Sequence, residues 1–268
     1  MKLKFFALNR SPGSYRSDKY LVRAGYDYIC VMQLFYATDA VAGRFELSPE
    51  ESRHVRVLRK KPGDRLHVTN GQGRLFFAEI ITAGKESFVL ETINVTFFER
   101  SRPNIVLAIA PTKHQDRLEW CIEKCTEIGL SEIYLLQCRY SEKLHVKEDR
   151  LRRTILEAMK QSNQHWLPQI HSVCTFTSFL ETAAIRTGSW QKLIAWCGDG
   201  DKLTALSVEP LHDTLVLIGP EGDFSLEEVN LAQKAGFKPI SLGANRLRTE
   251  TAAVYAVTML QILQNKTQ

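Results

Sequence analysis

The chain contains no Cys-x-x-Cys pair and no His-x-x-x-His pair. Metal centres built on one turn or one helix face need such spacings, so no metal site is expected. The six cysteines, Cys30, Cys121, Cys125, Cys138, Cys174 and Cys197, are scattered. Cys121 and Cys125 lie four apart in a helical pattern and share a face as small buried hydrophobes. Reduced thiols in a cytoplasmic protein are the reading that follows. No apolar run approaches the ~20 residues of a membrane span, so no membrane partner is expected. The N-terminal stretch "MKLKFFALNRSPGSYRSDKYLVRAGYDYIC" is basic in places but has no uninterrupted apolar core, which makes it a poor signal peptide. There is no internal repeat and no low-complexity tract.

Several catalytic signatures are missing too. No P-loop lysine motif occurs, and no serine sits in a nucleophile-elbow pattern, so hydrolase chemistry has little support. A dinucleotide fingerprint is absent. "CGDGD" (197–201) has two of its glycines but not the third, and no clear helix follows at once. It reads as a surface turn.

What is present is an ordinary globular composition. Of 268 residues, 44% are hydrophobic and 24% charged, with a net charge of +5. That suffices for one or two domains with a sizeable core. The mild positive charge is compatible with a polyanionic partner and alone does not establish one.

Residues 33–98 read as mostly β. "RLHVT", "RLFFAEIIT" and "SFVLETINV" are apolar or alternating runs rich in β-branched and aromatic residues. "TNGQGR" between the first two is a turn signal. One helix interrupts, with Ser48 as cap, Pro49 at its first position and Glu51 completing a capping box. It leads into the most basic stretch of the chain, where Arg53, His54, Arg56, Arg59, Lys60, Lys61 and Arg65 cluster. Such a cluster is either a solvated face or a phosphate-binding surface.

"FFERSRPN" (97–104) reads as a linker, with 99–103 at its centre. Beyond it strands alternate with helices. "NIVLAIA", "EIYLLQC", "KLIAWC", "TLVLIG" and "KPISLG" are buried-strand runs. "HQDRLEWCIEKCTEIG", "EDRLRRTILEAMKQS", "SLEEVNLAQKAG" and "TETAAVYAVTMLQIL" are helices, the third boxed by Ser225 and Glu228. The expected architecture is α/β with a mainly parallel sheet over 104–268, preceded by a small β domain over 32–98. Met32 opens a natural start, and residues 1–31 read as an extension ahead of it, non-native or loosely ordered.

Two strand–glycine–loop–helix junctions fall in the last third, "LIGPEGDFSLEEV" and "LGANRLRTETAAV". Ligands in open α/β sheets bind at the carboxyl ends of strands, where such loops form a pocket. The second loop carries Arg246 and Arg248 just ahead of a helix start, where the positive end of the helix dipole disfavours cations.

These two motifs closely resemble the RsmE-type 16S rRNA (uridine-N3)-methyltransferases of the SPOUT superfamily. "KHQDRLEWCIEKCTEIGLSEIYLL", "RYSEKL", "ILEAMKQS" and "HVRVLRKKPGD" are similar to further stretches of that family, and the resemblance spans about 33–265. It departs where many relatives carry Gly-Arg and this chain has Asn163-Gln164-His165. It departs again at Asn245, where some relatives place the first arginine of the last motif. The first 31 residues match nothing in it.

The resemblance implies a trefoil-knotted SPOUT domain behind a PUA-like RNA-binding β-barrel, S-adenosylmethionine as methyl donor, 16S rRNA of the small ribosomal subunit as partner, and a homodimer. It places the cofactor on Leu217, Ile218, Gly219, Pro220, Glu221, Gly222, Leu242, Gly243, Leu247, Thr251 and Ala252. Arg248 is then the candidate to stabilise the uridine anion, and Arg246 to meet phosphate. Glu250 could orient an arginine or the substrate, act as base, or simply be a favourable acid in a first helical turn. The basic set Arg53, Arg56, Arg59, Lys60 and Lys61 would grip RNA. Alternatives within reach are methylation of another base or a ribose, and a non-catalytic assembly factor that binds rRNA.

Overall fold

The computed structural model describes residues 33–100, 103–142, 146–184 and 190–265. The extension assigned to 1–31, with Cys30, lies outside these residues.

The first sheet contains β1 (Leu34–Tyr36), β2 (Arg44–Glu46), β3 (Arg65–Thr69), β4 (Arg74–Ala83) and β5 (Phe88–Phe97), in the order β1-β3-β4-β5-β2. Only β1 and β3 run parallel. Alternate side chains of its strands, with Val55 from helix α1 (Pro49–Val57), make one apolar core around Phe35, Phe45, Phe76 and Leu90. Phe35 and Phe45 come from opposite edge strands, so the sheet curls around its own core. Each such ring or branched chain, fully buried, contributes on the order of 1.5–3 kcal/mol.

The Ser48 cap forms as expected, its hydroxyl accepting from the Glu51 amide at 3.2 Å. The expected capping box does not close. The Glu51 carboxylate instead accepts from Lys160 Nζ at 2.6 Å, and both residues are buried. A buried ammonium is a stronger partner for a carboxylate than a neutral amide.

The second sheet has six strands, all parallel, in the order β11-β9-β10-β6-β7-β8. They are β6 (Ile105–Ile109), β7 (Glu132–Gln137), β8 (Gln169–Thr175), β9 (Gln191–Ala195), β10 (Thr214–Ile218) and β11 (Lys238–Ile240). Between them run α2 (Gln115–Ile128), α3 (Glu148–Gln161), α4 (Phe176–Ala184) and α5 (Leu226–Lys234), and α6 (Thr249–Asn265) closes the described chain. Strand side chains alternate faces, which divides the core in two. Ile105, Leu107, Ile109, Val216 and Ile218 pack under α2, α3 and α6. Val106, Ala108, Leu215 and Leu217 pack under α4 and α5. Gly129 stops α2 in the left-handed region at φ 112°, and the Ser225–Glu228 capping box starts α5 as its sequence predicts.

The "TNGQG" segment is a four-residue loop rather than a two-residue hairpin turn. Asn70 Oδ1 accepts from the Gln72 and Arg74 amides. The loop docks on the chain that follows α3: Gly73 N donates to His165 O at 2.8 Å, and Leu167 N to Gly71 O at 2.9 Å. Gly73 must be glycine. Its φ is +81°, and a Cβ there would lie 2.6 Å from both Phe98 O and the Trp166 ring.

Candidate functional site

A cleft of about 920 Å³ opens at the carboxyl ends of β9, β10 and β11, three adjacent strands. Three loops form its walls. The loop after β10 contributes Gly219, Pro220, Glu221 and Asp223, and the loop after β11 contributes residues 241–248. The loop after β9 contributes Trp196, Cys197, Gly198 and Lys202. The floor is apolar, made by Ile218, Ile240, Leu242, Leu247 and Ala252.

Hydrogen bonds tie the three loops together. Thr249 Oγ1, at the start of α6, donates to Gly219 O at 3.0 Å. Arg246 Nη2 donates to Glu221 O at 3.3 Å. Asp223 accepts from the Cys197 amide at 2.9 Å through Oδ2 and from the Phe224 amide at 2.8 Å through Oδ1. Asp223 itself stands at φ 66°, a strained position for a side-chain-bearing residue that these two bonds help to hold. Gly219 is pressed against the Phe224 ring, where a Cβ would sit at 3.1 Å. Gly243 adopts φ 118° with open space beyond it, so backbone freedom is its requirement.

The cleft gathers Ile218, Gly219, Pro220, Glu221, Leu242, Gly243, Leu247, Ala252, Arg246 and Arg248. Three other residues that the sequence assigns to the cofactor lie outside this lining. Leu217 points to the opposite face of the sheet, in the core beneath α4 and α5, because neighbouring strand residues face opposite ways. Gly222 faces Tyr140, whose Cβ would stand 3.0 Å from a Cβ placed there, so its close approach is to protein. Thr251 is exposed on α6 beyond the cleft.

Glu250 is also outside the lining. It is buried, and its Oε1 lies 3.9 Å from Arg117 Nη1 of α2. Arg248 is exposed and has no ion pair or hydrogen-bonded side-chain partner among the described residues.

Sequence reasoning missed the β9 wall. "CGDGD", set aside as a surface turn, supplies Cys197 and Gly198 to the cleft, beside Trp196 and Lys202. The signal was available: a buried strand running into glycines, as at the other two loops. Partial desolvation raises the Cys197 thiol pKa above its ordinary value, and the neighbouring Asp223 carboxylate adds to this. Arg246 and Lys202 oppose the shift without reversing it. Cys197 is therefore a neutral thiol at neutral pH and a poor nucleophile.

The basic stretch sits on α1 and the turn after it. Arg53, Arg59 and Lys61 are exposed, and Arg59 takes φ 56° in the turn. Arg53, Arg59, Lys60 and Lys61 make no side-chain ion pair among the described residues. Arg56 is committed differently. Its Nη2 donates to Gly84 O at 3.0 Å and to Lys85 O, and the guanidinium lies 5.4 Å from the Phe88 ring centre. It braces the β4–β5 turn.

Comparison with known proteins agrees with both halves of the chain. Residues 99–261 match the RNA methyltransferase domain family, and residues 47–93 match the RNA methyltransferase PUA domain. The ribosomal RNA small subunit methyltransferase E of Rickettsia conorii is 29% identical over 238 residues, covering 85% of this chain and 94% of that protein. The crystal structure of a probable rRNA-methyltransferase from Porphyromonas gingivalis superposes with a TM-score of 0.82 at 37% identity, covering 88% of this chain and 100% of that one. The Neisseria gonorrhoeae ribosomal RNA small subunit methyltransferase E, solved bound to S-adenosyl methionine, superposes at 0.75 with 25% identity, covering 87% of this chain and 98% of that one.

Proposed function

This chain belongs to the RNA methyltransferase family, and we propose that it methylates N3 of a uridine in the 16S rRNA of the small ribosomal subunit, using S-adenosylmethionine. The observation that carries the reading is the three-walled cleft at the strand ends, with the unpartnered Arg248 on its rim. The cytoplasm is the compartment this substrate implies.

The cleft suits an adenosine-bearing ligand. Ile218, Leu242, Leu247 and Ala252 offer an apolar bed for a purine, and the exposed Gly243 leaves backbone accessible beside it. The Leu242 and Leu247 amides donate to no group among the described residues, so they are free to read polar atoms of the base. When bound, S-adenosylmethionine supplies an electrophilic methyl group.

The chain's own residues have to present the acceptor. Uridine N3 carries a proton at neutral pH, and its removal leaves negative charge on the flanking carbonyl oxygens. A guanidinium held beside them stabilises that anion, and Arg248, exposed on the rim without a partner among the described residues, is free to do so. Arg246, anchored on Glu221 O, is placed to meet a phosphate. Glu250 is paired with Arg117, which favours an orienting role over that of a general base. Arg53, Arg59, Lys60 and Lys61 supply affinity through phosphate contacts, independent of sequence.

The assembly belongs to the same proposal. We assign residues 32–98 to the RNA-gripping unit, 99–103 to the linker and 104–268 to the knotted catalytic unit. Trp120 on α2 and Tyr255 on α6 are each 46% exposed, on two helices that share one apolar core. Large exposed aromatics there fit the face of a homodimer.

The deciding experiment incubates the protein with labelled S-adenosylmethionine and unmethylated small subunits or naked rRNA, then maps the product. N3 methylation blocks the pairing edge and stops reverse transcription at one uridine. Label on a ribose, or on another base, would overturn the assignment. Cofactor binding with no transfer to either substrate would favour the assembly-factor reading.

A further inference from the structure

Three cations line the cleft, Lys202, Arg246 and Arg248, against the acids Glu221 and Asp223. S-adenosylmethionine carries two positive groups, the sulfonium and the amine, and one negative group, the carboxylate. A cation brought to the carboxylate would offset the repulsion between the positive lining of the cleft and the two positive groups of the ligand.

The three cations are not equivalent. Arg246 donates to Glu221 O. Arg248 is exposed on the rim, where the acceptor would arrive. Lys202 is half-buried inside, with no carboxylate partner among the described residues, and its Nζ sits 5.6 Å from the centre of the Trp196 ring. A ring face is a weaker partner for an ammonium than an anion is, and it costs little to leave.

The seat for this lysine is built into the loop. Trp196 lines the cleft, and Gly198 lies directly against its indole: a Cβ at Gly198 would overlap the ring atoms. Glycine at 198 is therefore what allows the ring to stand where it does. Asp223 fixes the same loop through the Cys197 amide.

We infer that Lys202 receives the carboxylate of the cofactor's methionine moiety, and that Trp196 and Gly198 are the residues that position it. The inference rests on the cleft being the S-adenosylmethionine site. It assigns a task to a loop that the sequence alone presents as a surface turn.

Calorimetric titration of the full chain with S-adenosylmethionine and with its decarboxylated analogue tests this. The wild type should prefer the carboxylate-bearing ligand by about tenfold, or about 1.4 kcal/mol. Lys202→Met should lose about tenfold for S-adenosylmethionine and keep its affinity for the analogue, so that the preference collapses. Gly198→Ala, which displaces Trp196, should move in the same direction. Equal weakening for both ligands in Lys202→Met, or no weakening, would overturn the inference. So would collapse of the preference in Arg246→Met but not in Lys202→Met. A wild type that binds both ligands equally refutes the inference and leaves the cofactor site standing. One that binds neither refutes both.

Discussion

The Glu51–Lys160 pair offers the sharpest test of how this chain is held together. The two residues are 109 positions apart and join α1, on the first sheet, to α3, on the second. Their side chains are 5% and 7% exposed, and the contact is 2.6 Å. Lys160 also meets Glu157, at 2.8 Å, whose own side chain is 62% exposed. Burial raises the Glu51 carboxyl pKa above its usual value even with Lys160 beside it. Burial works against the Lys160 ammonium as well, but its bonds to Glu157 and Glu51 outweigh that and hold its pKa up.

Lys160→Met leaves a buried carboxylate without its ammonium partner. Removing one member of a buried pair costs about 3–5 kcal/mol. The lower end is expected here, because Glu51 can take a proton. About 3 kcal/mol corresponds to a drop in Tm of about 6–12 °C for a protein of this size. The pH dependence is the diagnostic feature. Glu51 in this variant has a folded pKa raised above its unfolded value. Protonation therefore favours the fold: the loss is largest at pH 8 and shrinks as pH falls toward 5.

Glu51→Gln should cost less, about 1–2 kcal/mol, since Lys160 keeps Glu157. The double change of both residues to Met should lie within about 1 kcal/mol of wild type, because apolar filling removes both desolvated charges. Urea unfolding followed by circular dichroism at several pH values measures all of these. A Lys160→Met cost under about 1 kcal/mol that does not vary with pH would refute the reasoning.

Arg248→Ala should lower kcat/KM by about 10²–10³, as loss of one oxyanion-stabilising group does, with the Kd for S-adenosylmethionine unchanged; a parallel loss of cofactor affinity would move Arg248 to the cofactor instead. Arg59→Glu should weaken RNA binding and flatten its salt dependence by about one charge, read from filter binding at several salt concentrations. Arg56→Glu should in addition loosen the β4–β5 turn, seen as faster amide exchange there, because its guanidinium holds Gly84 O and Lys85 O. His67 and His165 have pKa values lowered by burial, His165 further by its neighbour His67. A depressed folded pKa means stability is present above about pH 6.5 and is lost as pH falls toward the folded value. Replacing both histidines with asparagine should flatten the unfolding midpoint between pH 7 and pH 5.

The parallel sheet was legible because its central strands are buried on both faces and so read as unbroken apolar runs: Ile105–Ile109 and Thr214–Ile218 are buried at every position. Helix α5 was legible because its Ser225–Glu228 box is complete within four residues. The same signal at Ser48 gave the right cap and the wrong partner for Glu51, since a local pattern says nothing of a lysine 109 residues away. Strand β8 and helix α4 were not read at all. β8 lies at the sheet edge, where His171, Ser172 and Cys174 break the apolar run. At the site, both glycine loops were found, but not the phase of β10. Which of Leu217 and Ile218 faces the ligand depends on which side α6 packs, and α6 follows β10 by thirty residues.

The two arginines ahead of α6 now have different explanations. A helix start favours an anion by about 0.3–1 kcal/mol and disfavours a cation by a similar amount. Thr249, the first residue of α6, gives its hydroxyl proton to Gly219 O, so that group is spent on joining loops. Glu250 supplies the acid that a first turn prefers, yet its nearest cation is Arg117 on α2. Arg246 is offset within the fold by a carbonyl, Glu221 O. Arg248 is offset by nothing among the described residues. A cation set against the local field, exposed and unpaired on the rim of a cleft, gains nothing for folding. Under the proposed function, its place is accounted for by an acceptor that carries, or develops, negative charge. The absence of a partner for Arg248 among the described residues, rather than the charge of the loop as a whole, is what supports the proposal of an anionic acceptor for this motif.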